Sequence, residues 1–148
     1  MSSKHYKNQP TALETIVVGI FKGLWWLVKL PFGGLKKKYR ISGVDKQAII
    51  TKRSEIEQLV SSDNVIELKH AVMEADKLVD KVLRLKGYGE GTFADRLKKA
   101  EQYTDRRVYQ DLWDGHKVRN RIAHDESHIS ENALRGAVKK LLSYVRII

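Results

Sequence analysis

The chain contains no cysteine among its 148 residues. That excludes a disulfide framework, a thiolate metal site and a cysteine nucleophile, and it accords with a reducing compartment. Strand-like alternation of apolar and polar residues is missing too, so no sheet is expected. Acidic residues are scarce at the start: residues 1–53 hold two, Glu14 and Asp45, against 11 Lys and Arg. From 54 to 148 the balance is 17 Lys and Arg against 16 Asp and Glu. The formal charge of +10 therefore belongs to the N-terminal arm, and the remainder is nearly neutral. Overall basicity is thus poor grounds for nucleic-acid binding by the C-terminal part. There is no internal repeat, low-complexity tract or coiled-coil heptad of useful length. No Ser/His/Asp order or paired-carboxylate spacing stands out either.

What is present begins with an apolar run at residues 16–30, continuing through Pro31 to Leu35 and interrupted by Lys22 and Lys29. Seven residues is close to two helical turns, so these lysines share a face, with Trp25 and Trp26 between them. Lys36, Lys37, Lys38 and Arg40 follow, a cluster suited to an anionic cytoplasmic leaflet. A spanning helix needs about 20 mostly apolar residues, and a lysine near its centre costs roughly 2.5–3.5 kcal/mol. The expectation is a helix lying in the membrane interface with its tryptophans at headgroup depth. A short span, or a helix packed on protein, is the alternative. The membrane arrangements leave the C-terminal part cytoplasmic, peripheral to or anchored in the cytoplasmic membrane. No small-x-small site follows the run, so a cleaved signal peptide is not expected. Gly33, Gly34 and Gly43 mark residues 32–45 as a linker, giving an arm at 1–43 and a folded domain at 44–148.

Within that domain the apolar positions recur at helical spacing. A first helix is expected over residues 46–60, with Asp45 as its N-cap. The second carries Val65, Leu68, Val72, Ala75, Leu78, Val79 and Val82 inward and stops at Gly87. Thr92 with Asp95 resembles a capping box opening a short third helix that ends near Tyr103. The fourth starts near Asp105 and brings in Val108, Leu112 and Trp113. Ser130 and Glu131 open the fifth, with Leu134, Val138, Leu141, Val145 and Ile148 on one stripe. The fold class is all-α: an antiparallel bundle of four to five helices preceded by a separate N-terminal hydrophobic helix.

Residues 114–125 read DGHKVRNRIAHD and hold the densest chemistry in the chain. His116, Asn120 and His124 fall at four-residue steps and form a polar ridge, with Arg119 beside it. Imidazole moves protons near neutrality, and guanidinium grips phosphate with a planar fork of donors. Together they suit phosphodiester chemistry without a metal. Zinc is not expected, because the eight-residue His116–His124 spacing lacks the glutamate of a zincin. His70 reads as a satisfied or surface histidine, and Trp113 as core or interface.

The segment from His116 to Asp125 resembles the signature of HEPN domains, an Arg, a polar residue, three further positions and a His. Ala75-Asp76-Lys77, the Gly87-Tyr88-Gly89 loop and the Ser130 helix start are similar to small bacterial members, over about residues 48–146. The resemblance implies a homodimer whose two Arg/His motifs face each other. It also implies a metal-independent endoribonuclease of toxin or defence type that leaves a 2′,3′-cyclic phosphate. On that basis His124 is the general acid/base, Arg119 stabilises charge on phosphoryl oxygens and Asn120 positions them. His116, Lys117 and Arg121 are candidate RNA or nucleotide contacts. No cofactor is implied, and an antitoxin protein is a candidate partner. The alternative is a non-catalytic dimerisation or nucleotide-binding module tethered to the membrane.

Overall fold

Ser42 sets the start of the first helix, α1 (Gly43–Val60). Its hydroxyl accepts from the Asp45 amide at 3.1 Å and donates to the Asp45 carboxylate at 2.7 Å. Asp45 is therefore a third-position partner of the cap and not the cap itself. Ile41 is buried as well, so the folded part begins ahead of Val44. The structure is a computed structural model that describes residues 40–125 and 128–146. The expected N-terminal helix lies outside the described residues, as do Lys22, Trp25, Trp26, Lys29, Lys36, Lys37, Lys38 and Ile148.

Four more helices follow: α2 (Val65–Leu85), α3 (Phe93–Ala100), α4 (Arg106–Ala123) and α5 (Glu131–Val145). A 3-10 turn, Glu101–Tyr103, carries α3 towards α4. No strand occurs among the described residues, which form an all-helical bundle. Among them no helix is long and apolar enough to cross a membrane. The caps follow the sequence: Asn64, Thr92, Asp105 and Ser130 each accept an amide of the first turn. Thr92 and Asp95 complete a reciprocal capping box. Such caps are worth about 1 kcal/mol each.

Helix α2 is the spine. It buries nine residues, from Leu68 to Leu83, and packs on α1, α4 and α5. The stripe is as expected, save that Val65, at the first helical position, is exposed. The helix ends in a Schellman motif, with Gly87 at φ 79° donating to Arg84 and Tyr88 donating to Leu83. That conformation suits glycine because it has no Cβ. Leu134, Val138, Leu141 and Val145 of α5 close the core from the other side. Helices α4 and α5 approach closely at Gly115, where a Cβ would sit 2.5 Å from Leu141 Cγ and 3.2 Å from the Ala137 carbonyl oxygen.

Polar contacts fasten α1 at two places. Arg135 of α5 donates to the carbonyls of Val60 and Ser62, just where α1 runs out of internal donors. Lys52 of α1 meets Glu74 of α2 at 2.9 Å, and Lys77 meets the same carboxylate at 2.8 Å. These ammonium partners, Lys77 first and then Lys52, lower the Glu74 pKa to about 2. A depressed carboxylate contributes stability above its ordinary value and loses it as pH falls through the folded value. The melting temperature is therefore expected to fall between pH 4.5 and about 2, and Glu74→Gln is expected to flatten that limb while melting lower at pH 7. Thermal melts across the range decide it; identical acid limbs would remove Glu74 from the account.

Candidate functional site

The site is built around a carboxylate in the wrong company. Asp76 lies on the apolar stripe of α2, between Val72, Ala75 and Val79, and is 6% exposed. A carboxylate is almost never so buried unless paired. Its partner comes from α4: His116 Nδ1 lies 2.8 Å from Asp76 Oδ1. Against an ionised carboxylate, which only accepts, Nδ1 is the donor, and a neutral ring so placed leaves Nε2 bare. The imidazole is thus fixed in tautomer and rotation, as an orienting acid fixes a catalytic histidine.

Two rings complete the seat. Phe93, the first residue of α3, stacks on His116 with centroids 4.2 Å apart and planes within 7°. Trp113 meets the imidazole edge-on at 6.4 Å. The helix that carries Phe93 is anchored by Arg96, a buried guanidinium bonded to Asp80 on α2 and to the Gly91 carbonyl. The same Asp80 takes Arg84, so α3 is riveted to the spine beside the site.

Arg119 and Asn120 follow His116 by three and four residues, so one side of α4 carries all three. Arg119 Nε lies 3.7 Å from Asp76 Oδ2, an ion pair too long to be a hydrogen bond, and its Nη1 donates to Asn120 Oδ1 at 3.2 Å. The Arg119 side chain is 34% exposed, leaving part of its donor fork in water. His116, Arg119, Asn120, Asp76 and Phe93 line one shallow depression of about 340 Å³ between α2, α3 and α4. Lys77 and Thr92 stand on its edge.

His124 does not line it. It is the C-cap of α4, exposed, and its ring has no hydrogen-bond partner among the described residues. Asp125 beyond it takes φ 54°, turning the chain through the left-handed region. Lys117 is exposed beside Asp114 at 3.6 Å, and Arg121 is exposed on the same helix. His70 is exposed near Glu74, and Trp113 is half-buried. Among the described residues no cluster of three or more His, Asp or Glu is set to hold a metal.

The sequence brings forward His116, Arg119 and Asn120 through their spacing but not the residues that organise them. Asp76 carried a signal, a lone acid inside a valine and leucine stripe. Phe93 carried none, because its role depends on a stacking partner 23 residues further on. No family model matches the chain, and neither a curated protein nor a solved structure does.

Proposed function

We propose that the chain is a HEPN-like, metal-independent endoribonuclease of toxin or defence type, active as a homodimer and held at the cytoplasmic face of the membrane by its N-terminal arm. The observation that carries the reading is the Asp76–His116 pair beside Arg119, opening into one depression. An imidazole with a buried orienting carboxylate is the arrangement a general base needs. A guanidinium about one-third exposed supplies charge for phosphoryl oxygens.

In this reading His116 Nε2 takes the proton of a ribose 2′-hydroxyl. The oxygen attacks the adjacent phosphorus, and Arg119 faces the growing negative charge. The bond from phosphorus to the 5′-oxygen breaks, and that oxygen takes a proton from a protonated imidazole, the role kept for His124. The products are a 2′,3′-cyclic phosphate and a 5′-hydroxyl. Two rings are needed, one as base and one as acid, which is why a second copy matters.

One observation favours the rival, a non-catalytic dimerisation or nucleotide-binding module. Asp76 already sets a negative charge against Arg119, which lowers the pull on a long polyanion. The full chain, in detergent with EDTA, is expected to cut RNA to cyclic-phosphate ends, and Arg119→Ala to slow cutting at least about 100-fold. If wild type and variant leave the RNA equally intact, the enzyme is lost and the rival stands.

A further inference from the structure

Cations gather in the groove where α1, the first half of α4 and α5 meet. The groove has a volume of about 650 Å³. Six cations line it, Arg53, Arg107, Arg135, Lys139, Lys140 and Arg146, against two carboxylates, Glu57 and Asp111. Three of them are engaged. Arg53 holds Glu57 at 2.7 Å, Lys140 holds Asp114 at 2.8 Å and Arg135 is bonded to the end of α1. Arg107, Lys139 and Arg146 are exposed, and their side chains have no partner among the described residues. Residues 43–148 hold 20 Lys and Arg against 17 Asp and Glu, an excess of three, so an excess of four in the groove leaves the rest close to neutral.

The floor says what kind of ligand fits. Val138 and Leu142 reach the groove but are only 2% and 6% exposed, and Val60 and Val108 are half-buried beside them, so the floor offers a modest apolar wall beneath a cationic rim. No aromatic ring lines it, so stacked bases have no platform. At Gly136 the floor has no side chain, and the space where a Cβ would stand is open for 4 Å. A polyanion can therefore come close to backbone there. The α5 cations stand in file: Arg135 and Lys139 are four residues apart, about 6 Å of rise, and Arg146 continues the line. A flat bilayer meets the rim of a concave groove and leaves its floor empty, whereas a strand enters.

We propose that this groove binds the phosphodiester backbone of an RNA strand through Arg107, Lys139 and Arg146. RNA is named because of the reading of the α4 depression above. The groove lies on another side of α4, since Asp111 and His116 are separated by about 140° around the helix. Binding and cutting are therefore separable.

The probe is a fluorescein-labelled 2′-O-methyl RNA 20-mer, which has no 2′-hydroxyl to attack and cannot be cut by the route above. The full chain in detergent is titrated by anisotropy at several salt concentrations, beside Arg107→Gln/Lys139→Gln/Arg146→Gln. The triple variant is expected to bind about 10-fold or more weaker near 0.1 M salt. Its plot of log affinity against log salt is expected to be shallower by about 2, near 0.7 per lost phosphate contact. The arm is the same in both proteins and cancels in the difference. Equal slopes and affinities, with unchanged helicity, would overturn the proposal. So would capture of wild type but not the variant by phosphatidylglycerol vesicles while both bind the RNA alike, which makes the groove a membrane contact. If wild type binds the probe with the steep slope yet never cuts ordinary RNA, the groove stands and the nuclease falls.

Discussion

His116→Ala is expected to slow RNA cleavage by about 10²–10⁴-fold, the range a positioned acid–base group supplies. The reason is the company this ring keeps: a buried carboxylate at 2.8 Å and a phenyl ring stacked at 4.2 Å. The carboxylate fixes its tautomer and the phenyl ring its plane before any substrate arrives. Asp76→Asn is expected to slow the same step, because an amide holds the ring without favouring its charged form. The carboxylate acts through the imidazole, so the double variant is expected to be no slower than His116→Ala alone. The single alanine variant also leaves Asp76 buried with only Arg119 near it, which costs stability. The double variant removes that charge and keeps the comparison fair. Single-turnover cleavage in EDTA, with melts in parallel, gives the answer. A full rate in His116→Ala beside a dead His124→Ala would move the base to the end of α4.

The second large effect concerns two glycines in facing helices. Gly115→Ala is expected to destabilise the protein by about 1–3 kcal/mol, the usual range for overpacking. Alanine would gain up to about 1 kcal/mol of helix propensity at this position, and the clash reverses it. The new carbon meets Leu141 Cγ at 2.5 Å and a fixed carbonyl oxygen at 3.2 Å, so a rotamer change alone does not free it. Gly136→Ala has the same propensity gain and meets nothing within 4 Å. It is expected to stabilise by about 0.5–1 kcal/mol. Urea midpoints at constant slope measure both. Equal shifts would mean that α4 and α5 are not in the close contact described.

What the sequence made legible was local. Thr92 with Asp95 and Ser130 with Glu131 announce helix starts because a cap needs only neighbours three residues away. Gly87 announces an end because a single left-handed position needs a glycine. The first helix was misplaced by three residues for the same local reason. Gly43 and Val44 resemble linker, and Asp45 is a better-known cap than Ser42, yet the two share one hydrogen-bonded turn. The site was legible only along α4, where spacing alone puts His116, Arg119 and Asn120 together. Asp76 lies 40 residues away on another helix, and no periodicity ties it to His116. Arg96 is similar: a buried arginine 16 residues after its carboxylate is known only once α3 lies on α2.

Helix α1 has a consequence of its own. It buries two residues, Ile49 and Ile56, over 18 positions, whereas α2 buries nine over 21. Its attachment rests on those two side chains, on the partly buried Leu59 and Val60, and on the polar fastenings at Glu74 and Arg135. Regions with few buried contacts open below the free energy of global unfolding. α1 is thus expected to open before α2 and α5, exchanging its amide hydrogens while those two stay closed. Where it lifts, it uncovers the floor between α2 and α5, so a lightly anchored helix governs access to the most buried part of the protein.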